Sequence, residues 1–571
     1  MWTRNITSRK GGLRWRPASS RVLARFFALS TLTAGWVLAR TPALESPQAA
    51  AGFGVAVESA TATRDAAQVL AEGGSAVDAA IVAALVAGVT APTSSGIGGG
   101  GFAVIWDAAS KKSTVLDFRE VGPRGLVGEP FERRPLAPNE MGNLVGVPGE
   151  VSGLYEMHRR YGKLPWSKLV KKAAKRAHGG FNVEPHLGRM LGYAQTKLSA
   201  TPGFSAIYFP RGKAALVGAR LTHPALGRTL DKIAAEGAPA FYSGAVAEDL
   251  VQAAQAQGSS LSLEDLRDYK PKERQALHVS YEGYEVYTMP LPSAGGLMMA
   301  EVLQLLPADT LRDLGYGTPA YQHLLAEAMR GAIADRMRYL GDPDFQKVDV
   351  DWLLSAPRMD KRRDKISLER THALPRFGLE EKGTQAIVTK DRAGNVVSLT
   401  TTINHLFGAK IYALASGVTL NNELDDFTAK SDVEPFGMQE SPNRPRAGAR
   451  PVSSMTPTIV VKEGAPVLAL GGSGGTAIAT NATQTLLSAL VFNHHPRKVV
   501  SDPRIYIPTQ GAHIAVEKSA SAAHIKDLER RGEIVTEMRF NGTAIQMLRF
   551  DGERVEGAAD PRKHGLAITG R

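Results

Sequence analysis

The 571-residue sequence predicts a globular protein in which α-helices and β-strands pack in layers. Two observations support this fold class. Hydrophobic residues make up 43% of the chain and charged residues 22%, which is ordinary globular composition. Strand-like and helix-like tracts alternate from residue 51 to the end, without a tandem repeat or a low-complexity linker. Such alternation is typical of helices packed on sheets, although it leaves the topology open.

Residues 51–383 contain most of the predicted helices. The segment 75–92 is apolar on nearly every face, which predicts a helix buried in the core. A glycine-rich turn follows it and precedes an apolar strand. The elements predicted here are a short strand and turn within 52–60, strands at 102–107 and 281–290, and helices at 75–92, 150–161, around 169–177, at 224–236 and at 297–306.

Residues 384–571 are richer in predicted strands. The segments 384–390 and 395–403 flank the sequence Asp-Arg-Ala-Gly, and a glycine between two β-forming segments is typical of a hairpin. The remaining predicted elements are strands at 417–422, 456–464 and 465–472 and a helix at 476–492.

Charge and cysteine content exclude several classes of function. The chain has no cysteine, so disulfides, thiolate metal sites and a cysteine nucleophile are excluded. The formal net charge is +12, but residues 1–50 carry eight basic residues against one glutamate. The remaining residues therefore share only +5, which is too dilute for a nucleic-acid-binding surface.

Residues 1–50 resemble an export signal. A basic stretch ends at Arg25, and the uncharged, mainly apolar segment 26–39 follows it. Fourteen residues are too few for a comfortable bilayer span but suit the apolar core of a signal peptide. We therefore expect a periplasmic or extracellular protein, which contacts a membrane only if this segment stays uncleaved.

The sequence Gly471-Gly472-Ser473-Gly474-Gly475 lies between a predicted strand and a predicted helix. This is the context in which a serine hydrolase places its nucleophile, so Ser473 is one candidate nucleophile. The same turn suggests a second role. Consecutive backbone amides at Gly474 and Gly475 could instead donate hydrogen bonds to a developing oxyanion.

Thr384 is the other candidate nucleophile. A threonine hydroxyl needs an adjacent base, and its own α-amino group serves once the preceding peptide bond is cut. That amine has an ordinary pKa of roughly 8, close enough to neutrality to accept a proton. Gly383 precedes Thr384 and lets the backbone twist while the hydroxyl attacks the Gly383 carbonyl.

Several motifs around Thr384 identify a family. They are LDFRE (116–120), YLGDPDF (339–345), TTTINHLFG (400–408), LNNELDDF (420–427), RPVSSMTPT (450–458) and GGSGGT (471–476). In this order and spacing, from about residue 51 to the C-terminus, the chain resembles the γ-glutamyltranspeptidases, the glutathione hydrolases of the N-terminal-nucleophile superfamily. The resemblance implies an α+β fold of the four-layer αββα type.

The resemblance also implies a precursor that cuts itself between Gly383 and Thr384. Residues 51–383 would form the large subunit and residues 384–571 the small one, as an interleaved heterodimer. The enzyme would transfer the γ-glutamyl group of glutathione or another γ-glutamyl compound to water, an amino acid or a dipeptide. The resemblance implies no metal and no organic cofactor.

The site residues implied by the resemblance serve four roles. The nucleophile is Thr384, which the hydroxyl of Thr402 supports. The α-carboxylate of the substrate would be held by Arg119, Ser453 and Ser454, since a guanidinium can offer a carboxylate two parallel hydrogen bonds. The α-ammonium of the substrate would be bound by Asn404, Glu423 and Asp426. The backbone amides of Gly474 and Gly475 would stabilise the oxyanion.

Three alternatives remain. One is an acylase for substrates without an α-amine, which we expect to be disfavoured because buried Glu423 and Asp426 would then have no cation opposite them. Another is a serine hydrolase that uses Ser473. The third is a homologue that never processes, because Gly383 and Gln385 flank Thr384 where family members commonly carry threonine and histidine.

Overall fold

The computed structural model describes residues 50–570 apart from 129–130, 132–135, 375–382, 508–510, 518–519 and 540–541. The predicted export segment lies outside the described residues, except for residue 50. Within the described part of the chain, no helix is both long and apolar enough to cross a bilayer.

The strands are β1 (Ala50–Ala51), β2 (Phe53–Val57), β3 (Gly100–Asp107), β4 (Lys112–Phe118), β5 (Phe181–Asn182), β6 (Arg220–Leu221), β7 (Lys272–Arg274), β8 (Leu277–Tyr281), β9 (Tyr284–Thr288), β10 (Gln385–Lys390), β11 (Val396–Thr402), β12 (Tyr412–Ala413), β13 (Val418–Thr419), β14 (Thr458–Lys462), β15 (Ala465–Ser473), β16 (Ile505–Tyr506), β17 (His513–Glu517), β18 (Ile534–Met538), β19 (Ala544–Asp551), β20 (Arg554–Ala559) and β21 (Leu566–Gly570).

The α-helices are α1 (Ala60–Ala71), α2 (Ala76–Thr90), α3 (Glu150–Tyr161), α4 (Trp166–Gly179), α5 (Pro185–Leu198), α6 (Phe204–Tyr208), α7 (Pro224–Glu236), α8 (Pro239–Tyr242), α9 (Gly244–Gln255), α10 (Leu263–Asp268), α11 (Ala294–Leu305), α12 (Ala308–Leu314), α13 (Pro319–Tyr339), α14 (Val350–Leu353), α15 (Ala356–Arg363), α16 (Lys430–Val433), α17 (Ala477–Leu490), α18 (Pro496–Ser501) and α19 (Ala522–Arg530).

Two seven-stranded antiparallel sheets form the centre of the protein. One has the order β21-β2-β10-β11-β3-β4-β7 and the other the order β1-β20-β19-β15-β14-β9-β8. Their facing surfaces pack through apolar side chains such as Phe102 and Val388 from the first sheet and Ile459 and Leu548 from the second. Strands that are neighbours in a sheet come from distant parts of the sequence, so residues 50–383 and 384–570 are interleaved.

Helices cover the outer face of each sheet. Helices α1 and α2 pack on the first sheet, and α11 and α17 lie on the second. Every residue of α2 is buried, as its apolar sequence predicts, and Ser75 and Asp78 form a capping box at its start. The order helix, sheet, sheet, helix confirms the predicted αββα sandwich.

Two predicted boundaries were wrong. The single strand expected at 281–290 is a hairpin, because Glu282 and Gly283 both adopt positive φ and reverse the chain between β8 and β9. Paired positive φ values suit the twist of a two-residue hairpin turn. The helix expected to begin at residue 297 begins at Ala294, where the Ser293 hydroxyl accepts the Gly295 amide hydrogen.

Candidate active site

Thr384 immediately precedes β10, which lies in the middle of the first sheet, and Thr384 is only 3% exposed. Its neighbour Gln385 pairs with Thr401 on β11, so the sheet fixes the position of the threonine. Gly383 is needed for space rather than for a positive φ. A Cβ atom at residue 383 would lie 2.9 Å from the carbonyl oxygen of Thr93 and 3.2 Å from the Cα atom of Ser94.

Two hydroxyl groups converge on the carbonyl of Gly383. The Oγ1 atom of Thr384 donates a hydrogen bond to this carbonyl oxygen at 2.6 Å, and that of Thr402 does so at 2.8 Å. The two hydroxyl oxygens are 3.4 Å apart. The Thr384 hydroxyl therefore lies beside the carbonyl of the preceding peptide bond, and Thr402 polarises that carbonyl.

Asn404 holds Thr402 in place. Its backbone N–H donates to Thr402 Oγ1 at 2.8 Å, which leaves the hydroxyl hydrogen of Thr402 for Gly383. Asn404 has a φ of 71°, a left-handed conformation in which asparagine is several-fold enriched. Its side-chain amide donates to the carbonyl of Asn422 at 3.1 Å and reaches Asp426 at 3.5 Å.

The predicted cation and the predicted anions of the substrate site are paired with one another. Arg119 is 1% exposed, and its two Nη atoms donate to Glu423 and Asp426. Its Nε atom donates to the carbonyl of Pro451 at 3.2 Å. Arg119 is thus a cation opposite the two carboxylates, so the argument that disfavoured an acylase does not hold.

Ser453 and Ser454 lie on an extended segment beside the start of α11. The backbone N–H of Ser453 donates to Pro292, and its carbonyl accepts from Ala294, both at 2.9 Å. The Ser454 hydroxyl accepts a hydrogen bond from Arg336 on α13. Sequence analysis missed Arg336, which follows no local pattern and reaches the site only because α13 packs beside this segment.

Gly474 and Gly475 form the turn between β15 and α17. Their φ values are 120° and 62°, and a Cβ atom at residue 474 would lie 2.7 Å from the Cα atom of Thr543. Only glycine suits the first of these positions. This turn brings Gly475 into the pocket that contains Thr384.

One small pocket unites most of the predicted residues. Gly474 belongs to the turn beside it. The lining residues are Arg119, Arg336, Thr384, Thr402, Asn404, Glu423, Asp426, Ser453, Ser454, Met455, Gly475, Thr476 and Ile478.

Ser473 points away from this pocket and is fully buried. Its hydroxyl accepts a hydrogen bond from the Lys563 ammonium at 2.5 Å. The same ammonium lies 3.4 Å from Glu58, whose other oxygen accepts the backbone N–H of Ala386 at 3.2 Å. Ser473 therefore belongs to a buried network that joins the Gly474 turn to β10, and it is not placed to attack a substrate.

Two further carboxyl groups, those of Glu120 and Glu150, are buried. Burial raises the pKa of Glu150 to about 8, although its oxygen accepts a hydrogen bond from Thr401 at 2.6 Å. Burial also raises the pKa of Glu120 well above its ordinary value, and the negative charge of Glu423 adds to this. Glu150 is consequently protonated at neutral pH.

A four-layer αββα sandwich with threonine at the start of a central strand defines the class of N-terminal-nucleophile hydrolases. Within that class, the γ-glutamyltranspeptidase family model matches residues 62–570. The glutathione hydrolase proenzyme of Escherichia coli K12 is 35% identical over 89% of this chain and 90% of its own. The glutathione hydrolase proenzyme of Pseudomonas aeruginosa is 34% identical over 94% of this chain and 98% of its own. The chain belongs to the γ-glutamyltranspeptidase family.

Solved structures give two further comparisons. The crystal structure of cephalosporin acylase from Bacillus halodurans has a TM-score of 0.83 at 26% identity and covers 93% of this chain and 98% of its own. The γ-glutamyltranspeptidase of Helicobacter pylori has a TM-score of 0.52 at 33% identity, over 54% of this chain and 90% of its own.

Proposed function

We propose that this protein is a γ-glutamyltransferase and glutathione hydrolase that uses Thr384 as its nucleophile. The observation that carries the proposal is the position of the Thr384 hydroxyl, 2.6 Å from the Gly383 carbonyl oxygen and in one pocket with Arg119, Glu423 and Asp426. The protein is exported and matures into a large subunit, residues 51–383, and a small subunit, residues 384–571.

Maturation begins at the Gly383 carbonyl. The Oγ1 atom of Thr384 attacks this carbon, the C–N bond breaks, and the proton of the hydroxyl passes to the leaving nitrogen. The product is an ester between Gly383 and Thr384 with a free α-amine. Water then hydrolyses the ester, which leaves a carboxylate on Gly383 and restores the Thr384 hydroxyl. Thr402 stabilises the oxyanion because it already donates to that oxygen.

Catalysis uses the amine that maturation frees. The neutral α-amine of Thr384 accepts the proton of Oγ1, which attacks the γ-carbonyl of the substrate. Backbone N–H groups at Gly474 and Gly475 stabilise the oxyanion, and the protonated amine returns its proton to the leaving group. Water or an acceptor amine then attacks the γ-glutamyl ester and releases the enzyme.

Substrate recognition is an exchange of ion-pair partners. In this structure Arg119 is paired with Glu423 and Asp426. A γ-glutamyl group brings an ammonium for the two carboxylates and a carboxylate for the guanidinium. Because the incoming zwitterion is neutral overall, it enters the buried pocket without adding an uncompensated charge.

An acylase for glutaryl amides is the second candidate. Two observations favour it: Arg119 already neutralises Glu423 and Asp426, and the fold superimposes on a cephalosporin acylase with a TM-score of 0.83. A glutaryl group keeps the terminal carboxylate of glutamate and lacks its ammonium, so it leaves the two acidic side chains paired with Arg119.

Two chromogenic anilides separate these functions. γ-Glutamyl and glutaryl 4-nitroanilide differ only in the α-amine, and kcat/KM for both is measured with the mature enzyme. A preference of more than about tenfold for the γ-glutamyl compound supports the proposed function, because the amine replaces Arg119 at two carboxylates. A preference for the glutaryl compound refutes it in favour of the acylase.

A further inference from the structure

A second guanidinium lines the pocket. Arg336 lies near the C-terminal end of α13, where one Nη atom donates to the hydroxyl of Ser454 and the other to the carbonyl of Val452 at 3.4 Å. It shares the pocket with Thr384 and Arg119. No role for this residue follows from the steps described above.

Arg336 differs from Arg119 in its partners. In the part of the chain that the structure describes, no Asp or Glu forms an ion pair with Arg336, whereas Arg119 has two. The adjacent Asp335 is paired with Arg358 and Arg362 on α15 instead. Burial and then repulsion by Arg119 lower the pKa of Arg336 to about 10, so it is charged at neutral pH.

The hydrogen bond from Arg336 fixes the polarity of Ser454. A guanidinium only donates, so Ser454 Oγ is the acceptor and its own hydrogen points elsewhere. The hydroxyl hydrogen of Ser454 has no acceptor among the residues that the structure describes. Ser454 is thus oriented as a donor at the edge of the pocket, beside the spare N–H groups of Arg336.

Arg119 becomes available to the substrate carboxylate only as the ammonium displaces it from Glu423 and Asp426. All three of its nitrogen atoms already donate, to Pro451, Glu423 and Asp426. A buried substrate carboxylate needs several donors to replace the water it loses. Arg336, which has no ion-pair partner among the described residues, and the oriented Ser454 hydroxyl supply further donors in the same pocket.

We infer that Arg336 is a specificity-determining residue, which completes the site for the substrate's α-carboxylate through its own N–H groups and through the Ser454 hydroxyl that it orients. This inference rests on the proposed function, since it assigns a partner to one group of the γ-glutamyl substrate. Arg336 then selects for the carboxylate, and Glu423 and Asp426 select for the amine.

The test compares substrates with and without that carboxylate. γ-Glutamyl and 4-aminobutyryl 4-nitroanilide are the same except that the second lacks the α-carboxylate. Loss of a hydrogen bond to a charged group predicts that Arg336→Met lowers kcat/KM for the γ-glutamyl compound on the order of 30-fold. For the 4-aminobutyryl compound, kcat/KM changes by less than about threefold. The ratio of kcat/KM for the γ-glutamyl compound to that for the 4-aminobutyryl compound therefore falls roughly tenfold or more.

Arg338→Met is the matched control. Arg338 lies on the same helix, is exposed and donates to the carbonyl of Phe436 rather than into the pocket. Its substitution leaves the substrate preference unchanged. An equal loss for both substrates in Arg336→Met, or no loss for either, overturns the inference.

A conservative variant keeps the test decisive if Arg336→Met does not fold. Lysine retains the charge but has no planar fork, so it cannot hold Ser454 and the substrate together. Arg336→Lys is expected to reduce the preference roughly fivefold, and an unchanged preference overturns the inference. A wild-type enzyme without activity on the γ-glutamyl compound contradicts the proposed function itself, which is a different outcome.

Discussion

Removing the hydroxyl of Thr402 tests how the precursor cuts itself. Thr402→Val keeps the shape of the side chain but removes the donor that lies 2.8 Å from the Gly383 carbonyl oxygen. It also removes the acceptor for the backbone N–H of Asn404, likewise at 2.8 Å. The change therefore affects both the oxyanion of self-cleavage and a buried amide.

The magnitude follows from these two contacts. A hydrogen bond to a charged oxygen is worth about 1.5–3 kcal/mol, which predicts that self-cleavage slows by roughly 10- to 150-fold. The buried N–H of Asn404 left without a partner costs about 1–3 kcal/mol of folding stability. Thr402→Ser keeps the hydroxyl and is expected to cleave within about threefold of the wild-type rate.

The assay is a time course of the uncut chain. Precursor made by rapid cell-free synthesis is incubated at neutral pH, and the fractions of precursor and fragments are measured by denaturing gel and mass spectrometry. Equal cleavage rates for the valine variant and the wild type would refute the role of Thr402. Thermal unfolding of each precursor separates slow cleavage from simple misfolding.

Three other predictions follow from buried contacts. Gly383→Ala slows self-cleavage about 10-fold or more, measured by the same time course, because its Cβ would lie 2.9 Å from the Thr93 carbonyl oxygen and displace the scissile bond. Ser473→Ala is expected to keep γ-glutamyl anilide activity within about tenfold of the wild type. Loss of the hydrogen bond from Lys563 lowers the free energy of unfolding, measured in urea, by about 1.5–3 kcal/mol. A folded Ser473→Ala enzyme without activity would support a serine hydrolase instead. Burial raises the pKa of Glu150 to about 8 from an ordinary 4.5, so the stability linked to its proton is complete below pH 4.5 and is lost as the pH rises through 8. Between pH 5.5 and 7.5 the free energy of unfolding falls by about 2–3 kcal/mol for this reason. Glu150→Gln, made in the uncut Thr384→Ala precursor, should weaken this dependence on pH. Equal dependence of the unfolding free energy on pH with and without Glu150→Gln would contradict the prediction.

Local sequence predicted most of the fold because the signals are local. An apolar segment predicts α2, and two β-forming segments around Asp-Arg-Ala-Gly predict the hairpin of β10 and β11. The hairpin of β8 and β9 was missed because Glu282 at positive φ is not a typical turn residue. Which strands would be neighbours could not be predicted from periodicity, since β10 pairs with β2 across more than 300 residues.

The site was predicted less completely, because its pairings are long-range. The motifs identified most of the pocket, but they did not reveal that Arg119 would pair with Glu423 and Asp426. That pairing depends on how a loop after β13 folds over the end of β4. Arg336 left no signal either, since an arginine on a helix is ordinarily a solvated residue and only the packing of α13 turns it toward Ser454.

The central claim is that Thr384 becomes an N-terminal nucleophile, and the intact mass of the purified protein tests it most directly. Under denaturing conditions, with N-terminal sequencing of each fragment, we expect two chains, the smaller beginning Thr-Gln-Ala-Ile and ending at Arg571. The Thr384→Ala variant should give one chain. A wild-type protein that remains one uncut chain over days, or that is cut at another bond, would contradict the account.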